Sequence, residues 1–527
     1  MKNQILHIFK NDVRDFWREI ALMAVIVIAY GWHTSTHARE SGFFVADFAF
    51  SFSSEILSLL VPVVFIFLIV RAVHAECLVG HRQFWITRPY DWRQLLAAKL
   101  LFVASFVNLP LFVLQVFLLW HSGFWPPRYL PGLIGLQVLW IAFVFLPTAT
   151  LAVVTARIGQ FVLSVLGVLI YSIAVTTLMS KLLPYTGEKG PTGVLFILSL
   201  IAVYAACLVV VVCQYARRRT ARSWLVLLAP AAAIPMVFAI DSYRAMIADP
   251  HAAPRAGQPT PMRLAFDPAK PASLKGGYPE KNKVHIRLPL LVSGIAEGTT
   301  VAIEHRESIE APGGLRWESR WEYGHGLLLP DRSHTNETIA VDKDFYERVK
   351  SLSVEIKITF GLTPSRARET DHLLASAAPF TIPGEGRCAF SPSALNKAVC
   401  LFPVKSQMML LSAKSEEITC KPGENEKPLP AGIVAYGWVY GYSLLGAEFG
   451  INPVLVRELE LSDFGEVKGK ALEGGVCPGT PLTIYTAWPW RDGPRYRSDL
   501  EIDGIRLADY KLDDSPDYGG GFGVALP

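Results

Sequence analysis

Charged side chains are scarce in the first half of this chain. Of its 527 residues, 18% are Asp, Glu, Lys or Arg and 51% are hydrophobic. Residues 20–240 are a series of apolar stretches with short polar segments between them, and residues 241–527 contain no such stretch. A bilayer-spanning helix needs about 20 mostly apolar residues. The sequence therefore predicts a polytopic helical membrane domain with seven spans. They are 20–36, 55–73, 98–120, 130–155, 160–180, 193–214 and 223–240.

The chain also lacks a phosphate-binding loop. The segment closest to one, Gly465 to Ala471, is one residue too short and has no Ser or Thr to hold magnesium. There is no G-x-S-x-G nucleophile elbow and no C-x-x-C pair. The sequence therefore predicts no catalytic residue, no cofactor and no enzyme activity in this chain.

Metal-ligand spacing is missing as well. The histidines of residues 241–527 are scattered along the sequence. Glu304, His305 and Glu307 lie together, but the alternation of a strand puts 304 and 305 on opposite faces. A solvent-exposed strand is the favoured interpretation, and no metal site is predicted.

Every second connection between the predicted spans has few Lys and Arg residues. The net charge of +4 is too small for a chain of this length to indicate nucleic-acid binding. Lys and Arg near membrane helices favour the cytoplasmic side. With the N-terminus inside, outer connections hold only Arg39, Arg128, Lys181 and Lys189. Inner segments hold Lys2, Lys10, Arg14, Arg18, Arg71, Arg82, Arg88, Arg93, Lys99, Arg157, Arg217, Arg218, Arg219 and Arg222. We therefore expect a cytoplasmic N-terminus, and seven spans place the C-terminal region outside the cytoplasm.

Cysteine is rare, with 7 residues in the chain. Four of them, Cys388, Cys400, Cys420 and Cys477, lie in the C-terminal region. An even number in an oxidising compartment is what two disulfides require, and three pairings are possible. Pairing of sequence neighbours, 388 with 400 and 420 with 477, is preferred. Four unpaired buried thiols are the alternative, and zinc binding is disfavoured.

Two segments beside the first spans have patterns of their own. Residues 1–19 place apolar side chains at three- and four-residue spacing, which predicts an amphipathic helix in the cytoplasmic interface; a helical extension of the first span is the alternative. The long cytoplasmic loop 74–99 has an aromatic, Pro-broken centre followed by a helical period from Trp92. This pattern indicates a docking surface, or simple interfacial anchors.

The C-terminal half follows a different pattern. Residues 241–282 are rich in Pro and predict an extended linker. Apolar residues then alternate with polar ones, as at Val284, Ile286 and Leu288, and Gly or Pro turns separate the runs. Residues 283–527 therefore predict an all-β, sandwich-like domain, either one or two units dividing near 384. One helix is expected at 343–350, with Asp342 as its cap.

The loop 76–99 resembles the segment after the second membrane helix of ABC-2-type permease subunits. That family has there a Glu, a Gly, an apolar pair, a small-residue-plus-Pro step and a Leu-Leu run ending in Lys. The matching positions are Glu76, Gly80, Phe84, Trp85, Thr87 to Pro89, Leu95, Leu96 and Lys99. Arg88 stands where the family often has a small polar residue. The N-terminal segment NQILHIFKNDVRDFW is also similar, and the resemblance covers about residues 1–215.

The resemblance implies a six-helix core, to which this chain adds a seventh span and an outer β-domain. It also implies that Glu76, Gly80, Phe84, Trp85, Arg88 and Pro89 dock on a separate ABC ATPase subunit. Two permease halves are expected, as a homodimer or with a second permease, in a bacterial inner membrane with the β-domain in the periplasm. A membrane-anchored sensor or ligand-binding protein is the rival hypothesis, and a tethered enzyme is a third.

Overall fold

A computed structural model describes most of the helical half and the strands of the β region. The described residues are 2–40, 48–76, 79, 91–182, 194–229, 233, 262–269, 282–296, 299–319, 322–328, 334–366, 368–374, 376, 378–382, 386–390, 397–403, 409–415, 434–439, 451–460, 466–467, 470–471, 481–487 and 496–512.

The first part of the chain is helical. Its α-helices are α1 Lys2–Asp15, α2 Trp17–Glu40, α3 Phe48–His74, α4 Trp92–Val103, α5 Leu109–His121, α6 Leu130–Trp140, α7 Leu146–Val154, α8 Ile158–Leu182, α9 Val194–Arg217 and α10 Thr220–Ala229. Among the described residues, four helices are long and apolar enough to cross a membrane. They are Ile56–His74, Trp92–His121, Pro126–Val154 and Ile158–Val175.

These helices cover most of the predicted spans. The first and sixth spans fall within α2 and α9, each 24 residues long. The helix of the third predicted span, α4, begins at Trp92 rather than at 98. Asp91 caps it, because its side chain accepts a hydrogen bond from the backbone amide of Arg93. Only 223–229 of the seventh predicted span lies in a described helix, α10. The total of seven spans therefore stays a prediction.

Two membrane helices contain a short π-helical segment before a proline. Ala104–Asn108 precedes Pro110, and Ile141–Phe145 precedes Pro147. Proline lacks the amide hydrogen that would extend the regular ladder and its ring crowds the preceding turn, so the wider π turn accommodates it. Each helix nevertheless continues past its proline, and Trp92 to His121 forms one 30-residue rod.

The rest of the chain is mainly β structure. The strands are β1 Arg263–Phe266, β2 Lys283–Ser293, β3 Thr299–Ala311, β4 Leu315–Glu318, β5 Glu322–Leu328, β6 His334–Asp342, β7 Val354–Arg366, β8 Arg368–Leu374, β9 Phe380–Ile382, β10 Gly386–Phe390, β11 Lys397–Pro403, β12 Met409–Ser415, β13 Val434–Val439, β14 Val454–Glu460, β15 Glu466–Val467, β16 Lys470–Ala471, β17 Pro481–Ala487 and β18 Tyr496–Ile505. Helix α11, Lys343–Val349, follows Asp342 as predicted.

Two of the sheets share one hydrophobic core, and we call them the first sheet pair. One has the order β1-β2-β6, and the other has the order β18-β7-β3-β4 with β5 also on β3. The predicted core residues Val284, Ile286 and Leu288 are buried in it together with Ile356 and Ile358. Strand β1 lies inside the predicted linker 241–282, so the β region begins before residue 283.

The strands between β7 and β18 form the later sheets, with the orders β14-β11-β10-β9 and β13-β12-β17-β8 and the small hairpin β15-β16. Strands β9 and β10, on either side of the predicted division near 384, pair antiparallel in one sheet. The change of sheets instead lies between β7 and β8. The later sheets are thus inserted between two neighbouring strands of the first pair.

The β region contacts the helical bundle. Leu119 of α5, Phe124 of the connection that follows it and Leu133 of α6 form a buried cluster with Val454 of β14. Leu401 of β11 packs against the same cluster. The sheet that contains β11 and β14 therefore rests on this end of the helices.

Candidate functional site

A buried group of three charged side chains ties together the elements that flank the long loop. The ammonium of Lys99 on α4 donates to both carboxylate oxygens of Asp12 on α1, at 2.8 and 2.9 Å. It also lies 2.8 Å from Oε1 of Glu76, which follows α3. The three side chains are 5–9% exposed. We call Asp12, Glu76 and Lys99 the ion cluster.

Aromatic packing holds α1 against α4 and its continuation, where Asp12 contacts Lys99. Phe9 stacks on Phe106 at 5.9 Å between ring centroids, and Phe16 meets Phe102 edge to face at 6.0 Å. Ile8, Asp12 and Phe16 recur at four-residue spacing and are all buried, so Asp12 lies in the middle of the apolar face. The predicted amphipathic helix is confirmed as α1, separated from α2 at Phe16.

The ion cluster has an excess of negative charge, because two carboxylates share one ammonium. Arg218, at the turn after α9, offsets it by its attraction to Glu76. Its φ of 49° lies in the left-handed region, which ends the helix there. Burial raises the pKa of Asp12 above its ordinary value although Lys99 opposes the shift, and the nearby Glu76 carboxylate adds to the rise.

The resemblance to the permease motif can be placed on the structure at Glu76 and at Leu95, Leu96 and Lys99 of α4. Glu76 and Lys99, its first and last residues, are joined by the ion pair. Gly80, Phe84, Trp85, Arg88 and Pro89 lie outside the described residues, and their role in docking stays a prediction. The helix predicted from Trp92 is confirmed.

Asp12 was not among the sequence-predicted site residues. Its position among apolar residues of an amphipathic helix could have indicated it, because a carboxylate on a buried face needs a partner. The sequence offered no means of choosing Lys99 over the other Lys and Arg residues that are predicted to face the cytoplasm.

Three polar side chains join the rod Trp92–His121 to α6. Asn108 donates to Gln137 at 3.2 Å, and Gln137 donates to Gln115 at 2.8 Å. Asn108 and Gln115 lie in the third predicted span and Gln137 in the fourth, and Gln115 is fully buried. Hydrogen bonding to one another satisfies these amides where water is excluded.

One of the two predicted disulfides is confirmed. Cys388 on β10 and Cys400 on β11 are bonded, and they face each other directly in the antiparallel register. Cys420 and Cys477 lie outside the described residues, so their pairing stays a prediction.

The interpretation of Glu304, His305 and Glu307 as a solvent-exposed strand is wrong. The three residues are 3%, 4% and 2% exposed. Strand β3 is covered at these positions because it pairs with β7 and β5 and packs in the core of the first sheet pair. Glu337 of β6, which the sequence analysis did not single out, lies against His305 there.

Comparison with known proteins gives no family for the chain. No protein-family model matches it, and neither does any curated protein. A crystal structure of red sea bream transglutaminase is 13% identical over a match that covers 48% of this chain, with a TM-score of 0.12. The match spans 30% of the transglutaminase chain. At that TM-score the likeness carries no argument about fold or activity.

Proposed function

We propose that this protein is the membrane-spanning permease subunit of an ABC-2-type transporter. It would couple ATP hydrolysis by a separate ATPase subunit to export of a substrate. The observation that carries the proposal is the ion cluster, in which Lys99 pairs with Glu76 and Asp12 at 2.8 Å. Two of these residues are the ends of the permease-like motif, and the third belongs to the permease-like N-terminal helix.

The ion cluster supports a mechanical role for the loop. Glu76 follows α3 and Lys99 lies on α4, so their ion pair holds together the two elements on either side of the predicted docking loop. A partner that binds this loop would therefore displace α4. Helix α4 continues through the π segment to His121, about 45 Å at 1.5 Å per residue. Displacement at one end of this rod would reach the other.

The remaining parts of the proposal follow from the same hypothesis. ATP would be bound by the partner subunit, and two permease halves would form the membrane unit. The seven predicted spans comprise six of the family core and one that leads to the β-sandwich. The N-terminus and the loop face the cytoplasm of a bacterium, and the β region lies in the periplasm.

Pull-down from native membranes tests this function. Tagged full-length protein, solubilised in mild detergent, should recover an ATPase that contains a phosphate-binding loop and retains ATP hydrolysis. Trp85→Ala should lower its affinity about 30-fold, since an aromatic anchor at the centre of a small interface is worth about 2 kcal/mol. Trp120→Ala is the matched control. Trp120 is 62% exposed and lies near His121, at the end of the rod away from the loop.

The result also separates the permease from the rival, a membrane-anchored sensor or ligand-binding protein. If the ATPase is recovered with wild type and W120A but not with W85A, the permease proposal is supported. If none of the three proteins recovers an ATPase, and W85A and W120A are equally stable, the result contradicts the permease proposal and favours the sensor. Equal recovery with all three proteins contradicts this docking site.

A further inference from the structure

Three ionisable side chains meet inside the core of the first sheet pair. His305 and Glu307 lie on the face of β3 that also carries Ile303 and Ile309, and Glu337 projects from β6 beside Ile339. Their side chains are 5%, 1% and 10% exposed. We call His305, Glu307 and Glu337 the buried triad.

The ligand atoms of the triad are close together. His305 Nε2 is 3.2 Å from Oε1 of Glu307, and His305 Nδ1 is 3.0 Å from Oε1 of Glu337. One nitrogen or oxygen atom from each residue lies within 4.8 Å of the other two. Ligand atoms about 2.1 Å from a zinc ion are roughly 3–4 Å apart. An ion on Nε2 of His305 would meet the Glu307 carboxylate directly, and the Glu337 carboxylate, now beside Nδ1, would have to rotate toward it.

Charge favours a cation at this position. Ionised carboxylates are costly to bury in an apolar core unless they are paired or bind a metal ion. A divalent cation bound to neutral His305 would make the group electrically neutral.

The backbone around the triad is fixed by hydrogen bonds. The amide of Thr338 donates to Oε1 of Glu337 at 3.2 Å. The amide of Glu307 donates to the Ser319 hydroxyl at 2.8 Å, and the Ser319 amide donates to the Glu307 carbonyl. Such outer partners orient the ligands of metal sites.

We propose that His305, Glu307 and Glu337 bind a divalent transition-metal ion, Zn²⁺ or Mn²⁺. One imidazole and two carboxylates suit these ions, whereas Ca²⁺ takes six to eight oxygen ligands. The side chains are too deeply buried to admit a substrate, so the ion has a structural role. It joins β3 of one sheet to β6 of the other. This site is independent of the transport function proposed above.

Metal content of the full-length protein tests the proposal. Detergent-purified protein is stripped with a chelator, equilibrated with Zn²⁺ or with Mn²⁺, desalted and analysed by mass spectrometry for bound metal. Thermal unfolding is followed in parallel. We expect one ion per chain and a higher Tm with the ion than after stripping.

Matched variants locate the ion. Glu307→Gln and Glu337→Gln keep the shape of the side chain and remove a ligand charge, and each should weaken binding at least about 100-fold, since losing an outer partner alone costs 10- to 100-fold. Glu310→Gln, on the same strand but with a side chain 52% exposed, should bind like wild type. Glu337 is the less buried of the two carboxylate ligands, so E337Q provides the test if E307Q does not fold.

Failure of stripped wild type to take up either ion overturns the proposal and assigns the triad to an imidazolium between two carboxylates. Equal uptake by E337Q and E310Q also overturns it, because the ion then lies elsewhere. Neither result depends on an ATPase, so the metal site and the permease function fail separately.

Discussion

Arg387 donates a hydrogen bond from Nη1 to the main-chain oxygen of Ser122, at 3.4 Å. Ser122 is the C-cap of α5, where the membrane rod ends, and Arg387 precedes the disulfide-bonded Cys388. A cation at a helix C-terminus meets carbonyls that have no partner within the helix. The contact therefore ties a covalently braced hairpin of the β region to the rod that begins beside the loop.

Gly123→Ala should break this contact. Gly123 has a φ of +84°, and an added Cβ would lie 1.8 Å from Nη1 of Arg387. The left-handed backbone alone costs an L-residue about 1–2 kcal/mol, and moving Arg387 adds to that. We expect a lower Tm in thermal unfolding of the detergent-purified protein.

Gly135→Ala is the control for that measurement. It lies in α6, and an added Cβ meets nothing within 4 Å. Alanine favours a helix over glycine by about 1 kcal/mol, so its Tm should be equal or higher. Equal losses in G123A and G135A would contradict the importance of the Arg387 contact.

Removing the cation of the ion cluster should be more damaging than removing one anion. Lys99→Met leaves Asp12 and Glu76 buried without their shared ammonium, which costs about 3–5 kcal/mol. Glu76→Gln leaves a neutral Asp12–Lys99 pair and should cost less. Thermal unfolding of both variants in one detergent gives the comparison, and a K99M no less stable than E76Q would refute it.

Long periodic segments were predictable from the sequence, and meetings between distant segments were not. The alternation at Val284, Ile286 and Leu288 predicted a strand because the polarity of each side chain indicates which face of the strand it lies on. The pair Glu76 and Lys99 came from a motif, while Asp12 required knowledge of how α1 packs. Glu337 is 32 residues beyond His305, and only the packing of two sheets brings them together. The loop around Trp85 remains a sequence prediction.

Asp12 should make the stability of the protein depend on pH. Its folded-state pKa lies above the ordinary 3.8 because of burial. At pH values between 3.8 and the folded-state pKa, Asp12 is protonated more often in the folded protein than in the unfolded chain. This protonation stabilises the folded state, and the stabilisation is lost as pH rises through the folded-state pKa. Asp12→Asn cannot titrate, so the Tm of D12N relative to wild type should rise as pH increases from about 4 to 7.

Unfolding scans of both proteins across this pH range measure the difference. Asp15→Asn removes an exposed carboxylate that adds to the rise in the pKa of Asp12, so its curve should lie between those of wild type and D12N. A constant difference between D12N and wild type at every pH would show that Asp12 is ionised normally.

The proposed orientation in the membrane can be tested with single cysteines at exposed sites. Glu310→Cys lies on β3, and Arg14→Cys lies on α1. In intact spheroplasts a membrane-impermeant maleimide should label E310C above the wild-type background, and it should label R14C only after lysis. Labelling of R14C in intact cells, with E310C protected, would reverse the orientation. Labelling of both sites, or of neither, in intact cells would imply an even number of spans.

The position of β18 has a consequence for the order in which the protein can form. Strand β7 ends at Arg366, yet its neighbour β18 begins at Tyr496, and the two pair from Tyr496 opposite Leu362 to Ile505 opposite Val354. During synthesis this edge of β7 stays unpaired until residues 496–505 have left the ribosome. A polypeptide that is cut or stalled before Tyr496 exposes an unpaired strand edge, which invites aggregation and degradation. Pairing of β18 with β7 therefore requires that the inserted later sheets have already been synthesised.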